Sequence, residues 1–229
     1  MPLNAQSEER KRHMAGYIKL QIIKEIDGED AIHIRDRAFQ AMPFMVDAQF
    51  PEAITVGGYA FTMCNTLTTL DFPKVEEIGV GAFSDCSKVE TVNFPELVMV
   101  GREGFMGLEK LYRIFLPKAE KIGDQALKDC KSLVEAAFPS TTELGQGVFD
   151  GCVSLERAYV ARLQSAGEDT FKNCPTLKEL SLPGLEKVSM GLVNGCSELT
   201  SLDVPFAKSI EEGAFDGCDN LQFLNLQTA

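Results

Sequence analysis

Apolar side chains return at a fixed step along this chain. One column runs Leu67, Val89, Leu111, Leu133, Leu155, Leu177, Leu199, Leu221, each 22 residues after the last. Three residues later comes a second column: Leu70, Val92, Ile114, Ala136, Ala158, Leu180, Leu202, Leu224. Two further on comes a third: Phe72, Phe94, Leu116, Phe138, Val160, Leu182, Val204, Leu226. An aromatic column keeps the same step through Phe39, Phe61, Phe83, Phe105, Phe149, Phe171 and Phe215, with Leu127 and Val193 filling its gaps. A proline column runs from Pro51 to Pro205, with Ala161 as the interior exception. Cys64, Cys86, Cys130, Cys152, Cys174, Cys196 and Cys218 complete the unit, and Leu108 stands where the step leaves a gap. Insertions into loops cost little. A step unbroken from Met45 onward therefore implies coils that must each stack on the last.

The unit reads L-x-x-L-x-[LF]-P-x-[VAL]-x-x-I-G-x-x-A-F-x-x-C. L-x-x-L-x-L predicts a short strand with apolar side chains turned inward. Proline, which cannot donate to a ladder, stops it. The I-G pair predicts a bend at which glycine takes a positive φ. A-F-x-x-C predicts one tight helical turn that puts Phe and Cys on the same inward face. Eight copies fill 45–220 and a partial copy fills 221–229. Residues 23–44 read as a degenerate first copy, because Ile23, Ile26, Ala31, Ile34, Ala38, Phe39 and Met42 fall in the right columns. Residues 1–22 read as a cap, with a short helix begun at Ser7 and a strand over 17–26. About nine coils at ~4.8 Å each would make a slab on the order of 45 Å long.

A step of 22 is too short for two helices and falls in the leucine-rich range. The F-P-x-V-x-x-I-G-x-x-A-F-x-x-C tail resembles the BspA-like leucine-rich repeat family of bacterial and protozoan surface proteins, over residues 23 to 229. The resemblance implies an α/β, β-rich solenoid: a right-handed superhelix with a parallel concave sheet and short helical or irregular turns on the convex side. It also implies surface proteins, some of them adhesins for host or matrix proteins.

Net charge is −12, which argues against nucleic acid and anionic membranes as generic partners. No apolar run reaches the length of a membrane-spanning helix. "MPLNAQSEERKRHM" lacks the apolar core of a secretory signal. The expected compartment is cytoplasmic as the chain stands, or the cell surface if a signal has been removed.

The recurring thiols invite talk of metal or redox chemistry. Leu108 and Met42 occupy the same column, however, and neither could ligate or oxidise in place of a cysteine. No two cysteines are closer than 22 residues, unlike zinc knuckles. Free cysteine packs as a small hydrophobe, so buried, reduced thiols are expected. Catalytic constellations are thin. The only histidines, His13 and His33, lie outside any repeated cleft. Gly79-Val80-Gly81 and Gly145-Gln146-Gly147 fall short of a phosphate loop. Acid pairs such as Glu76–Glu77 and Glu211–Glu212 fit solvated turns. No catalytic residue, metal ligand or cofactor is expected.

The two outward strand positions carry what the consensus leaves free. At the ends they are small, polar or acidic. In the middle they bring Arg113, Phe115, Ala137, Arg157 and Tyr159 together. Two readings stand. In one, Arg113, Glu135, Arg157 and Glu179 form a cross-strand charge ladder with aromatics filling the surface. In the other, Tyr, Phe and Arg mark a recognition patch, with Ala137 a notch between two rings. The expected function is non-enzymatic: a protein-binding module acting through the concave sheet, with a cytoplasmic scaffold or a structural component of a larger assembly as the alternative. The chain stops at "LQFLNLQTA", just after a strand, so self-association through an uncapped C-terminal end is also expected.

Overall fold

Each coil contributes two strands where its sequence predicts one. The computed structural model describes residues 25–27 and 32–226. The first strand of a coil falls inside L-x-x-L-x-L, as at Thr69–Asp71, Thr91–Asn93 and Arg113–Phe115. These strands pair in parallel with a shift of one repeat, Leu70 opposite Val92. The second strand covers the residue pair before the conserved glycine, as at Glu77–Ile78 and Met99–Val100. It forms a parallel ladder of seven from His33–Ile34 to Ser165–Ala166, followed by a separate pair, Lys187–Val188 with Ser209–Ile210. The first ladder divides into three blocks. One runs from Glu25–Asp27 to Thr91–Asn93, one comprises Arg113–Phe115, Glu135–Ala137 and Arg157–Tyr159, and one runs from Glu179–Ser181 to Phe223–Asn225. The predicted N-terminal helix and most of the predicted strand over 17–26 lie outside the described residues.

Inside the coils the apolar columns become stacks. Phe61 and Phe83 stack with centroids 5.3 Å apart and planes 12° from parallel. Phe72 and Phe94 do the same at 5.3 Å and 10°. The two stacks meet edge-on, as at Phe83 and Phe94, 5.7 Å apart and tilted 64°. All five rings from Phe61 to Phe105 are fully buried. Each such side chain contributes about 1.5–3 kcal/mol on burial, and a well-set ring pair adds ~0.5–1.5 kcal/mol.

The predicted helical turn at A-F-x-x-C is not helical. Its backbone N–H groups alternate between two destinations. Ala82, Ser84 and Cys86 donate to carbonyls three residues earlier in their own coil, while Gly81, Phe83 and Asp85 donate to Arg102, Gly104 and Met106 of the next. A helix would use every donor internally and leave neighbouring coils unjoined on this side. The alternation needs left-handed residues four apart: Gly81 and Asp85, Glu103 and Gly107, Gly147 and Gly151, Gly191 and Gly195. Asp and Asn tolerate that region best after glycine, which accounts for the Gly, Asp or Asn that precedes most of the cysteines.

The glycine after the second strand is also conserved for another reason than predicted. Positive φ values fall elsewhere in the coil. A Cβ at Gly79 would lie 2.6 Å from the backbone nitrogen of Gly58, and one at Gly167 would lie 2.5 Å from that of Gln146. The column is glycine because consecutive coils touch there.

The cysteines pack between coils. All seven are free, six are buried, and Cys218 on the last described coil is half-buried. Each thiol donates to the carbonyl of the aromatic column one coil earlier: Cys86 to Phe61 at 3.0 Å, Cys130 to Phe105 at 3.2 Å, Cys196 to Phe171 at 3.1 Å. Burial pushes the thiol of Cys130 up to about 12 and that of Cys218 up to about 11. Both stay protonated donors at neutral pH.

Candidate interaction surface

Outward side chains on the first ladder behave differently along its length. Near the N-terminus they satisfy one another: Thr91 Oγ1 donates to Thr69 Oγ1 at 3.2 Å, and Asn93 Nδ2 donates to Asp71 Oδ1 at 2.8 Å. Near the C-terminus Ser181 Oγ and Asn225 Nδ2 both donate to the carboxylate of Asp203, at 2.8 and 2.7 Å.

The central block breaks this pattern. Parallel register places Glu135 between Arg113 and Arg157, and Ala137 between Phe115 and Tyr159. The structure therefore brings all five sequence-predicted residues onto three adjacent strands. Phe115 is 61% exposed and Tyr159 is 51% exposed. Glu135 Oε2 lies 3.4 Å from Arg113 Nε and 3.5 Å from Arg157 Nη2, and Arg157 Nη1 lies 3.6 Å from Glu156. These are ion pairs longer than good hydrogen bonds. Exposed pairs of this kind contribute about 0–1 kcal/mol.

Tyr112 was not among the expected residues. It is 52% exposed, and the Arg113 guanidinium carbon lies 5.3 Å from its ring centroid. Its column, from Val46, Thr68 and Glu90 onward, precedes the strand and carries no consensus.

Elsewhere chemistry is sparse. His33 Nδ1 sits 2.9 Å from Thr55 Oγ1 on the neighbouring coil. Among the described residues, no group of three His, Cys, Asp or Glu could hold a metal ion, and no helix is long and apolar enough to cross a membrane. A shallow depression of about 400 Å³ lies between the strands Asp47–Gln49 and Thr69–Asp71. At the C-terminal end of the described residues Phe206, Ile210, Phe223 and Leu224 are exposed.

The repeat geometry defines a leucine-rich solenoid, and the comparisons agree. The family model described as "BspA type Leucine rich repeat region (6 copies)" matches residues 32–156 and 142–229. The chain belongs to this family, which is defined by a structural repeat and not by a reaction. No curated protein matches it. Among solved structures it is similar to a leucine-rich repeat protein from Bacteroides ovatus, at 24% identity and a TM-score of 0.56, over 86% of this chain and 64% of that one. It is similar to the T. pallidum leucine rich repeat protein at 24% identity and a TM-score of 0.53, over 87% and 75% of the two chains. A leucine rich cell surface protein from Faecalibacterium prausnitzii matches at 16% identity and a TM-score of 0.50, over 90% and 87%. The chain thus spans just under two thirds of the Bacteroides protein. At these identities the likeness is one of fold.

Proposed function

We propose that this chain is a protein-binding leucine-rich repeat module whose contact surface is centred on Arg113, Phe115, Ala137, Arg157 and Tyr159, with Tyr112 at its margin. One observation carries the reading. On a face where Thr69–Thr91, Asp71–Asn93 and Ser181–Asp203 hydrogen-bond across strands, these three strands present exposed rings and arginines without internal hydrogen bonds. Tyr, Phe and Arg are the residue types that anchor interface centres. Exposed aromatic rings grouped on one face also mark interaction sites.

The Faecalibacterium protein is described as a cell surface protein, which favours a surface-exposed, adhesin-type setting over an internal scaffold. A pull-down with wild-type chain and the double variant Phe115→Ala, Tyr159→Ala tests the site. The double variant is expected to lose its partner while its circular dichroism spectrum stays unchanged. Undiminished capture of the same partner would overturn the assignment.

A further inference from the structure

We propose that the junction between coils 155–176 and 177–198 is a flexure, at which the C-terminal block parts from the rest of the solenoid while each side stays folded. Equivalent bonds can be followed one coil at a time. At the preceding junction, between coils 133–154 and 155–176, Glu156, Gln164 and Gly167 donate their backbone N–H to Val134, Thr142 and Leu144, and Phe138 donates to Tyr159. At the proposed flexure the corresponding donors are Lys178, Glu186, Ser189 and Val160, and none of the four bonds forms. The first ladder ends a block at Arg157–Tyr159 and the second ends at Ser165–Ala166, so both strand sides of the coil are interrupted at one level. Other breaks in the first ladder leave the second continuous.

The sequence also changes at this level of the second ladder. Position 189 is serine, where the six coils before it carry glycine from Gly57 to Gly167. Glu211 in the same column of the next coil still donates to Val188 at 2.9 Å, so the serine coincides with the break without by itself requiring it. The Ser189 hydroxyl takes over one lost bond, donating to the Ala166 carbonyl at 2.6 Å. Ala161 replaces proline on the same coil, and the ring stack ends at Phe171, above which sits Val193. A depression of about 510 Å³ lined by Arg162, Gln164, Gly184 and Glu186 lies across the gap. Among the described residues no ion pair spans it, whereas Lys187–Glu211 and Lys208–Glu186 span the next junction. The turn side stays joined: Asp169, Phe171 and Asn173 donate to Met190, Leu192 and Asn194 at 2.8–3.0 Å. That side forms the hinge, and the two strand sides open about it. Stacked repeats tolerate such a weak interface because each coil touches only its neighbours.

Amide-resolved hydrogen exchange on the full chain tests this. Lys178, Glu186 and Ser189 are expected to exchange at least tenfold faster than Glu156, Gln164 and Gly167. Thr200, Lys208 and Glu211, bonded to Lys178, Glu186 and Val188 beyond the junction, should stay protected. Equal protection on both sides of the junction would overturn the proposal. So would fast exchange at Thr200, Lys208 and Glu211, which would mean melting of the whole end.

Discussion

The strands Thr69–Asp71 and Thr91–Asn93 lie on the same face as Arg113–Phe115 and Arg157–Tyr159, with the same backbone and the same 22-residue register. They differ in what their outward side chains do for one another. Asp71 and Asn93 close a hydrogen bond between coils, and such a bond contributes a net ~0.5–1.5 kcal/mol to the fold. Phe115 and Tyr159 flank Ala137 and stand exposed, and the arginines beside them are held by ion pairs and, for Arg113, the Tyr112 ring. One region uses its outward positions for stability, and the other leaves them available to a partner. An inward phenylalanine one coil away makes the contrast sharper, because Phe94 is buried between Phe83 and Phe105.

Four substitutions probe that contrast. Phe94→Ala should cost about 3–5 kcal/mol in urea unfolding through the cavity it leaves, while Phe115→Ala should stay within about 0.5 kcal/mol of wild type. Comparable losses would mean that Phe115 belongs to the core after all. Asn93→Ala should cost about 1 kcal/mol, the net worth of its bond to Asp71; partner capture should be untouched, and lost binding would extend the contact surface toward the N-terminus. Glu135→Gln should cost no more than ~1 kcal/mol at low salt, with the difference fading as salt screens the pair. A large, salt-independent loss would show the arginines to be structural.

The smallest effect is a gain. Burial raises the Asp85 carboxyl above its usual range, helped by Glu103, Asp129 and Glu109. A carboxyl whose folded pKa exceeds its unfolded value holds its proton more tightly when folded. Its ionised form therefore weakens the fold, and stability rises as pH falls through the folded pKa. Asp85→Asn, at a left-handed position that Asn tolerates, should raise the thermal midpoint at pH 7. That gain should vanish at acid pH, where the wild-type carboxyl is protonated. A gain independent of pH would point to the backbone instead of the charge.

Much of this was legible in the residues. The spacing of Leu67, Leu70 and Phe72 marks a strand with an inward face, and the strand is there. The cysteine column reads as filling, which Leu108 already implies, and the thiols lie buried between coils. The five residues of the central patch can be placed together by counting in steps of 22, because a parallel stack converts that step into adjacency. Tyr112 was missed because its column has no consensus against which an aromatic stands out.

The sequence by itself determined the repeat, the inward columns and the order in which outward side chains meet, since each follows from a fixed step and the alternation of a strand. Only the tertiary structure decided where backbone donors go. It turned a predicted helical turn into a bonded seam between coils, made Gly79 a point of contact and not a bend, and gave the thiol of Cys86 the carbonyl of Phe61. It also left the strand-side bonds between coils 155–176 and 177–198 unmade. Local pattern records which side chains must be buried. Which coil satisfies a given N–H depends on how closely two backbones approach, and that distance exists only once they are stacked.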